Sequence, residues 1–75
     1  MIDDVLEGTE YLIFGEFADR SERTEIVREC ETRDEAEEYL NAWCDPSGQP
    51  MDFEGNWMLG HYKRLWIEKL IRITQ

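Results

Sequence analysis

The sequence predicts an α+β domain, a three-stranded antiparallel sheet with one helix packed on one face, in the order β-β-α-β. Two runs rich in strand formers, at 11–17 and 24–30, flank a polar turn. A capping box, Thr32-Arg33-Asp34-Glu35, opens an amphipathic stretch, and a run of β-branched residues lies at the far end. With 75 residues there is room for one domain, 1–75, and one modest core. Such domains retain about 3–5 kcal/mol of net stability.

Residues 1–9 place Ile2, Val5 and Leu6 at helical spacing behind Asp3 and Asp4, which suits a single helical turn ended by Gly8 or equally a loose tail. From Tyr11 to Phe17 the first four residues are apolar on both faces, the pattern of a strand with at least one face buried. Asp19-Arg20-Ser21-Glu22-Arg23 then supplies a turn without Gly or Pro, and Thr24 to Cys30 returns as the second arm of a hairpin. The preferred facing sends Ile26 and Cys30 inward and Glu25, Val27 and Glu29 outward, with Arg28 at an edge or laying its stem over apolar surface. The opposite register buries Val27 alone.

In the helix, Ala36, Tyr39, Leu40, Trp43 and Cys44 share one face, while Asp34, Glu37, Glu38 and Asn41 cover the rest. Asp45-Pro46-Ser47-Gly48 stops it. Residues 45–61 form a long loop too apolar for an idle linker. Its Met51, Phe53, Trp57, Met58 and Leu59 either fold back to plug the open end of the core or form an aromatic contact surface. His61 to Thr74 fits a strand with Leu65, Ile67, Ile71 and Ile73 on one face, or a helix aligning Tyr62, Trp66, Leu70 and Ile73. The β-branched content and the lack of an N-cap ahead of Tyr62 favour the strand, and Lys69 then marks a bulge or an exposed end. The finished sheet leaves one face open and an edge strand free, a place for a partner or for a second copy to form a homodimer.

The whole net charge of −10 sits in residues 1–38, because the later acids Asp45, Asp52, Glu54 and Glu68 are balanced by Lys63, Arg64, Lys69 and Arg72. All three Trp lie in that neutral half. So acidic a chain repels nucleic acid and anionic lipid, and it favours a basic protein surface as partner. No run approaches the roughly 20 apolar residues of a membrane span, and the acidic start is unlike a basic signal peptide, so the expected compartment is the cytoplasm. Adaptation to high salt fits the two Lys against six Arg, but Glu outnumbering Asp twelve to six counts against it.

Catalysis and cofactor binding find little footing in the residues. His61, the only His, has no nucleophile beside it in a recognisable motif, and with Cys30 and Cys44 it falls short of a zinc ligand set. The cysteines read as reduced core residues. The Gly positions make no phosphate cradle. No catalytic residue, metal or cofactor is therefore expected. Two binding surfaces are. Glu25, Glu29, Glu31, Asp34, Glu37 and Glu38 form a candidate field of carboxylates resembling a phosphate array, and Phe53, Trp57 and Met58 form a candidate aromatic anchor.

The hairpin feeding into Glu31-Thr32-Arg33-Asp34-Glu35-Ala36-Glu37, the helix ending at Trp43 and the final strand together resemble a loose class of small bacteriophage proteins that disable host machines, among them the short inhibitor of host RNA polymerase and several anti-CRISPR proteins. The likeness spans residues 10–74, and the loop 45–61 is longer than is typical of that class. It implies a non-enzymatic protein-binding inhibitor without a cofactor, acting in the host bacterial cell by occluding a basic surface of a nucleic-acid-binding protein or complex. The alternative is a small self-associating structural or regulatory protein whose acidic face serves solubility alone.

Overall fold

The structure is a computed structural model that describes the backbone of residues 6–73 and the side chains of residues 10–71. Its elements are β1 (Leu6–Phe17), β2 (Thr24–Cys30), α1 (Arg33–Trp43) and β3 (Tyr62–Ile73). The sheet order is β2-β1-β3, with both pairings antiparallel. One helix on a three-stranded antiparallel sheet is the expected α+β architecture. The expectation of a helical turn or loose tail at 1–9 is corrected over its second half: Leu6 to Glu10 extend β1 and pair with β3 as far as Ile73. Ile2 and Val5 lie outside the described residues.

β1 sits in the middle because its apolar run serves both faces. Ile13 is fully buried under α1, with Tyr11 and Phe17 packed against the same core. Leu12 and Phe14 take the opposite face, where Leu12 is buried between its cross-strand neighbours Glu29 and Glu68 and Phe14 stacks on Trp66 at 5.9 Å between ring centroids. The core comprises Ile13, Cys30, Ala36, Cys44, Met58, Tyr62 and Leu65. Both cysteines are free and buried.

The facing expected of β2 holds for Cys30 and fails for Ile26. Ile13 pairs with Arg28 and Phe14 with Ile26, so Val27 is an extra residue in a β-bulge. The bulge turns Val27 against the core and leaves Ile26 exposed opposite Phe14. Arg28 lays its guanidinium over the Tyr39 ring at 4.9 Å, the edge solution anticipated for it.

α1 begins as its capping box dictates. The Glu35 amide donates to Thr32 Oγ1 at 3.1 Å, while Glu35 Oε1 accepts from the amide of Glu31, one residue earlier than the usual reciprocal bond. Ala36 and Cys44 are buried and Tyr39, Leu40 and Trp43 are packed against the core, as the spacing predicts. Past the helix, Asp45 Oδ1 accepts from the amides of Ser47 and Gln49, which closes a tight turn. These bonds hold the Asp45 carboxyl below its ordinary range, the Ser47 hydroxyl contributing most. Gly48, at φ 92°, lets that turn touch β3: its carbonyl accepts from the Leu65 amide at 2.7 Å, and a Cβ there would lie 2.4 Å from the Leu65 carbonyl oxygen.

The final segment is the strand that its β-branched residues favour. Leu65 and Ile67 lie in or against the core, whereas Ile71 is exposed. Lys69 marks the exposed end; the bulge on β3 falls at Lys63, between the pairs Glu16–Arg64 and Phe17–Tyr62.

Candidate functional site

Six rings from three parts of the chain meet at the end of the sheet where β1 and β2 turn. Phe53 stacks on Trp43 at 5.9 Å, Trp57 meets Trp43 edge-on at 6.3 Å, and Trp57 also meets Tyr62 at 5.8 Å and His61 at 6.1 Å. Phe17 continues the series against His61 and Tyr62, and the Arg23 guanidinium lies over Phe17 at 5.6 Å. Edge-on and offset stacks of this kind add about 0.5–1.5 kcal/mol each beyond burial.

The loop that carries Phe53 and Trp57 is fixed by two buried residues. Asn56 donates from Nδ2 to the carbonyls of Trp43 at 3.0 Å and Met51 at 2.6 Å, and its Oδ1 accepts from the Met58 amide at 3.0 Å. Its side-chain amide thus uses both donors and an acceptor, and it adds a second donor to the last carbonyl of α1, which also accepts from the Met51 amide at 2.9 Å. Met58 is fully buried and plugs the core, so of the three expected anchor residues it is structural. Phe53 and Trp57 remain 40% and 48% exposed, with Leu59 beside them also exposed. The loop thus plugs the core at Met58 and leaves Phe53 and Trp57 at the surface.

Tyr62 connects this end to the sheet. Its ring crosses β1 at Gly15, where a Cβ would lie 2.7 Å from Tyr62 Cδ1, and its hydroxyl donates to the Glu25 carboxylate. Burial first, then the Glu25 carboxylate, pushes the Tyr62 phenol well above its ordinary value, so it stays a protonated donor. His61 Nε2 lies 4.0 Å from Glu25 Oε2, half exposed.

The six carboxylates expected to share one surface do not. Asp34, Glu37 and Glu38 project from α1 into solvent, with Glu31 at its start. Glu37 pairs with Arg33 at 2.8 Å, an exposed i,i+4 bridge of about 0.3–0.5 kcal/mol. Glu29 lies opposite Leu12, on the face away from the helix. Glu25 is turned toward the helix side by Tyr62, which corrects its outward assignment. The bulge at Val27 separates the two, because it shifts the alternation between Glu25 and Glu29 by one residue.

Phe17, Trp43, Asn56, His61 and Tyr62 belong to this end without being among the expected binding residues. Only Asn56 carried a local signal, as a lone amide set between Gly55 and the apolar run Trp57-Met58-Leu59. Among the described residues no group of three or more His, Cys, Asp or Glu is placed to hold a metal ion, and no helix is long and apolar enough to cross a membrane. A hollow of about 340 Å³ lies away from the rings, between α1 and β3, lined by Arg33, Glu37, Leu40 and Trp66 among others. No protein-family model, curated protein or solved structure matches the chain.

Proposed function

We propose that the chain is a non-enzymatic inhibitor that binds another protein and occludes a basic, nucleic-acid-binding surface, with Phe53 and Trp57 as its anchor and the α1 carboxylates as its source of electrostatic steering. The observation that carries this reading is the fixed exposure of the two rings. Large aromatics held in place by Trp43 and by the Asn56 bonds lose little freedom on docking, which is what a binding hot spot requires. Glu31, Asp34, Glu37 and Glu38 would speed encounter with a cationic partner more than they add affinity. A phage-encoded role in a bacterial cytoplasm, such as an anti-CRISPR or polymerase inhibitor, is the most concrete form of the proposal.

The test is a pull-down from bacterial lysate with tagged protein, washed at low and high salt and repeated with Trp57→Ala and with Glu37→Lys/Glu38→Lys. The expected result is one nucleic-acid-processing complex, lost with Trp57→Ala, captured more slowly by the charge-reversed variant, and blocked from its nucleic acid by the wild-type chain. Binding indifferent to Trp57→Ala would sink the anchor, and a captured complex that still binds nucleic acid would sink occlusion.

A further inference from the structure

The far half of β3 carries an inference that does not rest on the proposed partner. The Leu65 amide donates outward, away from β1, to the Gly48 carbonyl. Backbone groups alternate sides along a strand, so those of Ile67, Lys69, Ile71 and Ile73 point outward as well. The Gly48 turn covers this edge at Leu65 and goes no further. Between Arg64 and Ile73 the strand has no bulge of its own, since the register shift near its end places the extra residue, Glu7, on β1. Among the described residues, the edge left for pairing therefore runs from Ile67 to Ile73, with Leu70 at its midpoint.

We infer that this edge pairs with a second copy of the chain, the two β3 strands running antiparallel about a two-fold axis at Leu70 to make one six-stranded sheet. The sequence is complementary to itself in that register. Glu68 falls opposite Arg72 of the second copy, Ile67 opposite Ile73, Lys69 opposite Ile71 and Leu70 opposite itself. Like charges directly across an antiparallel pair are destabilising, and moving the axis one residue back sets Lys69 against Lys69, two residues back Glu68 against Glu68. Glu68 is also held ready, because Trp66 Nε1 donates to its Oε2 at 2.9 Å and leaves its other oxygen for an incoming cation. Leu70 and Ile71, 39% and 49% exposed, are the apolar surface such a pairing covers.

The other edge is unsuited to this. β2 is bulged at Val27 and holds Arg28 against Tyr39, devices that hinder edge pairing. An interface made of one strand edge is small, so the dimer is concentration-dependent.

Sedimentation equilibrium of the intact chain over a wide concentration range tests the inference. A monomer–dimer equilibrium is expected, with Glu68→Arg and Arg72→Glu each weakening it by about tenfold and the double reversal restoring it. Amide exchange read in parallel should show protection at Ile67, Lys69 and Ile71 growing with concentration, and none at Thr24–Cys30. A chain that stays monomeric, a dimer unaffected by either reversal, or protection confined to β2 would each overturn it. Glu68 lies outside the core cluster, and circular dichroism of each variant identifies any loss of fold.

Discussion

The β1–β3 ribbon is one continuous ladder with two unlike ends. From Ile13 to Phe17 and from Tyr62 to Ile67 it is roofed by α1, crossed by Tyr62 and closed by Met58. Beyond Tyr11 and Lys69, among the described residues, no helix or loop of the core cluster covers it, and Leu70 and Ile71 are exposed. The backbone pairing differs as well, because β2 pairs with β1 only from Tyr11 to Glu16 and, among the described residues, the far end is a two-stranded ribbon. Hydrogen bonds in the ladder set the shape, and burial sets where the stability resides.

The largest effect should come from removing equal apolar bulk at each end. Met58→Ala leaves a cavity in a fully buried site and should cost about 2–5 kcal/mol, enough to unfold much of so small a domain. Leu70→Ala should change stability by no more than about 0.5 kcal/mol. Urea denaturation at a chain concentration low enough to keep the protein monomeric measures both. Comparable losses at the two ends would erase the distinction.

Next in size are the positions where a backbone or side chain is held by polar geometry. Asn56→Ala removes the acceptor of the Met58 amide and one of two donors from each of the carbonyls of Trp43 and Met51, and should cost about 1–3 kcal/mol. Gly15→Ala drives a methyl into the Tyr62 ring and should cost about 1–3 kcal/mol. Tyr62→Ala together with Gly15→Ala should then cost less than the sum of the two single changes, because the clash is gone; additive losses in thermal unfolding would show that the ring does not need that glycine.

How much of this was legible in the sequence follows the range of the interactions. The cap at Thr32–Glu35, the buried face of α1 and the stop at Asp45–Gly48 depend on residues a few positions apart, and each is where the spacing put it. Ile26 was misplaced because a bulge is a choice of pairing made with another strand, and one extra residue at Val27 reverses the facing before it. β1 was begun too late because Glu7, Gly8 and Glu10 weaken its strand signal, and only the partner strand reaching Ile73 extends it. The aromatic end was half visible. Phe53 and Trp57 stood out as apolar residues in a loop, but their contacts with Trp43, His61 and Tyr62 are long-range, and the carboxylate field was dispersed by the same bulge that moved Ile26.

The smallest deletion at the roofed end, Tyr62→Phe, sharpens the comparison through pH. At neutral pH it removes one hydrogen bond to the half-exposed Glu25 and should cost about 1 kcal/mol. In alkali the groups that matter are Tyr62 and Cys44, both at the roofed end. Burial, and secondarily Asp45, pushes the Cys44 thiol up from its ordinary 9.0 to about 11, and burial with Glu25 raises the Tyr62 phenol from its ordinary 10.0. Each folded group holds its proton more tightly than the unfolded one, so their contribution is complete below the unfolded values and drains away as pH rises through the folded ones. Wild-type stability should accordingly begin to fall above about pH 9, and fall further above about pH 10 as unfolded tyrosine ionises. Tyr62→Phe should keep the first part of that decline, which belongs to Cys44, and lose the second. Leu70→Ala should keep both. A Tyr62→Phe variant with the full wild-type decline, measured by urea denaturation from neutral pH into alkali, would mean that Tyr62 contributes no proton linkage to the stability of the roofed end.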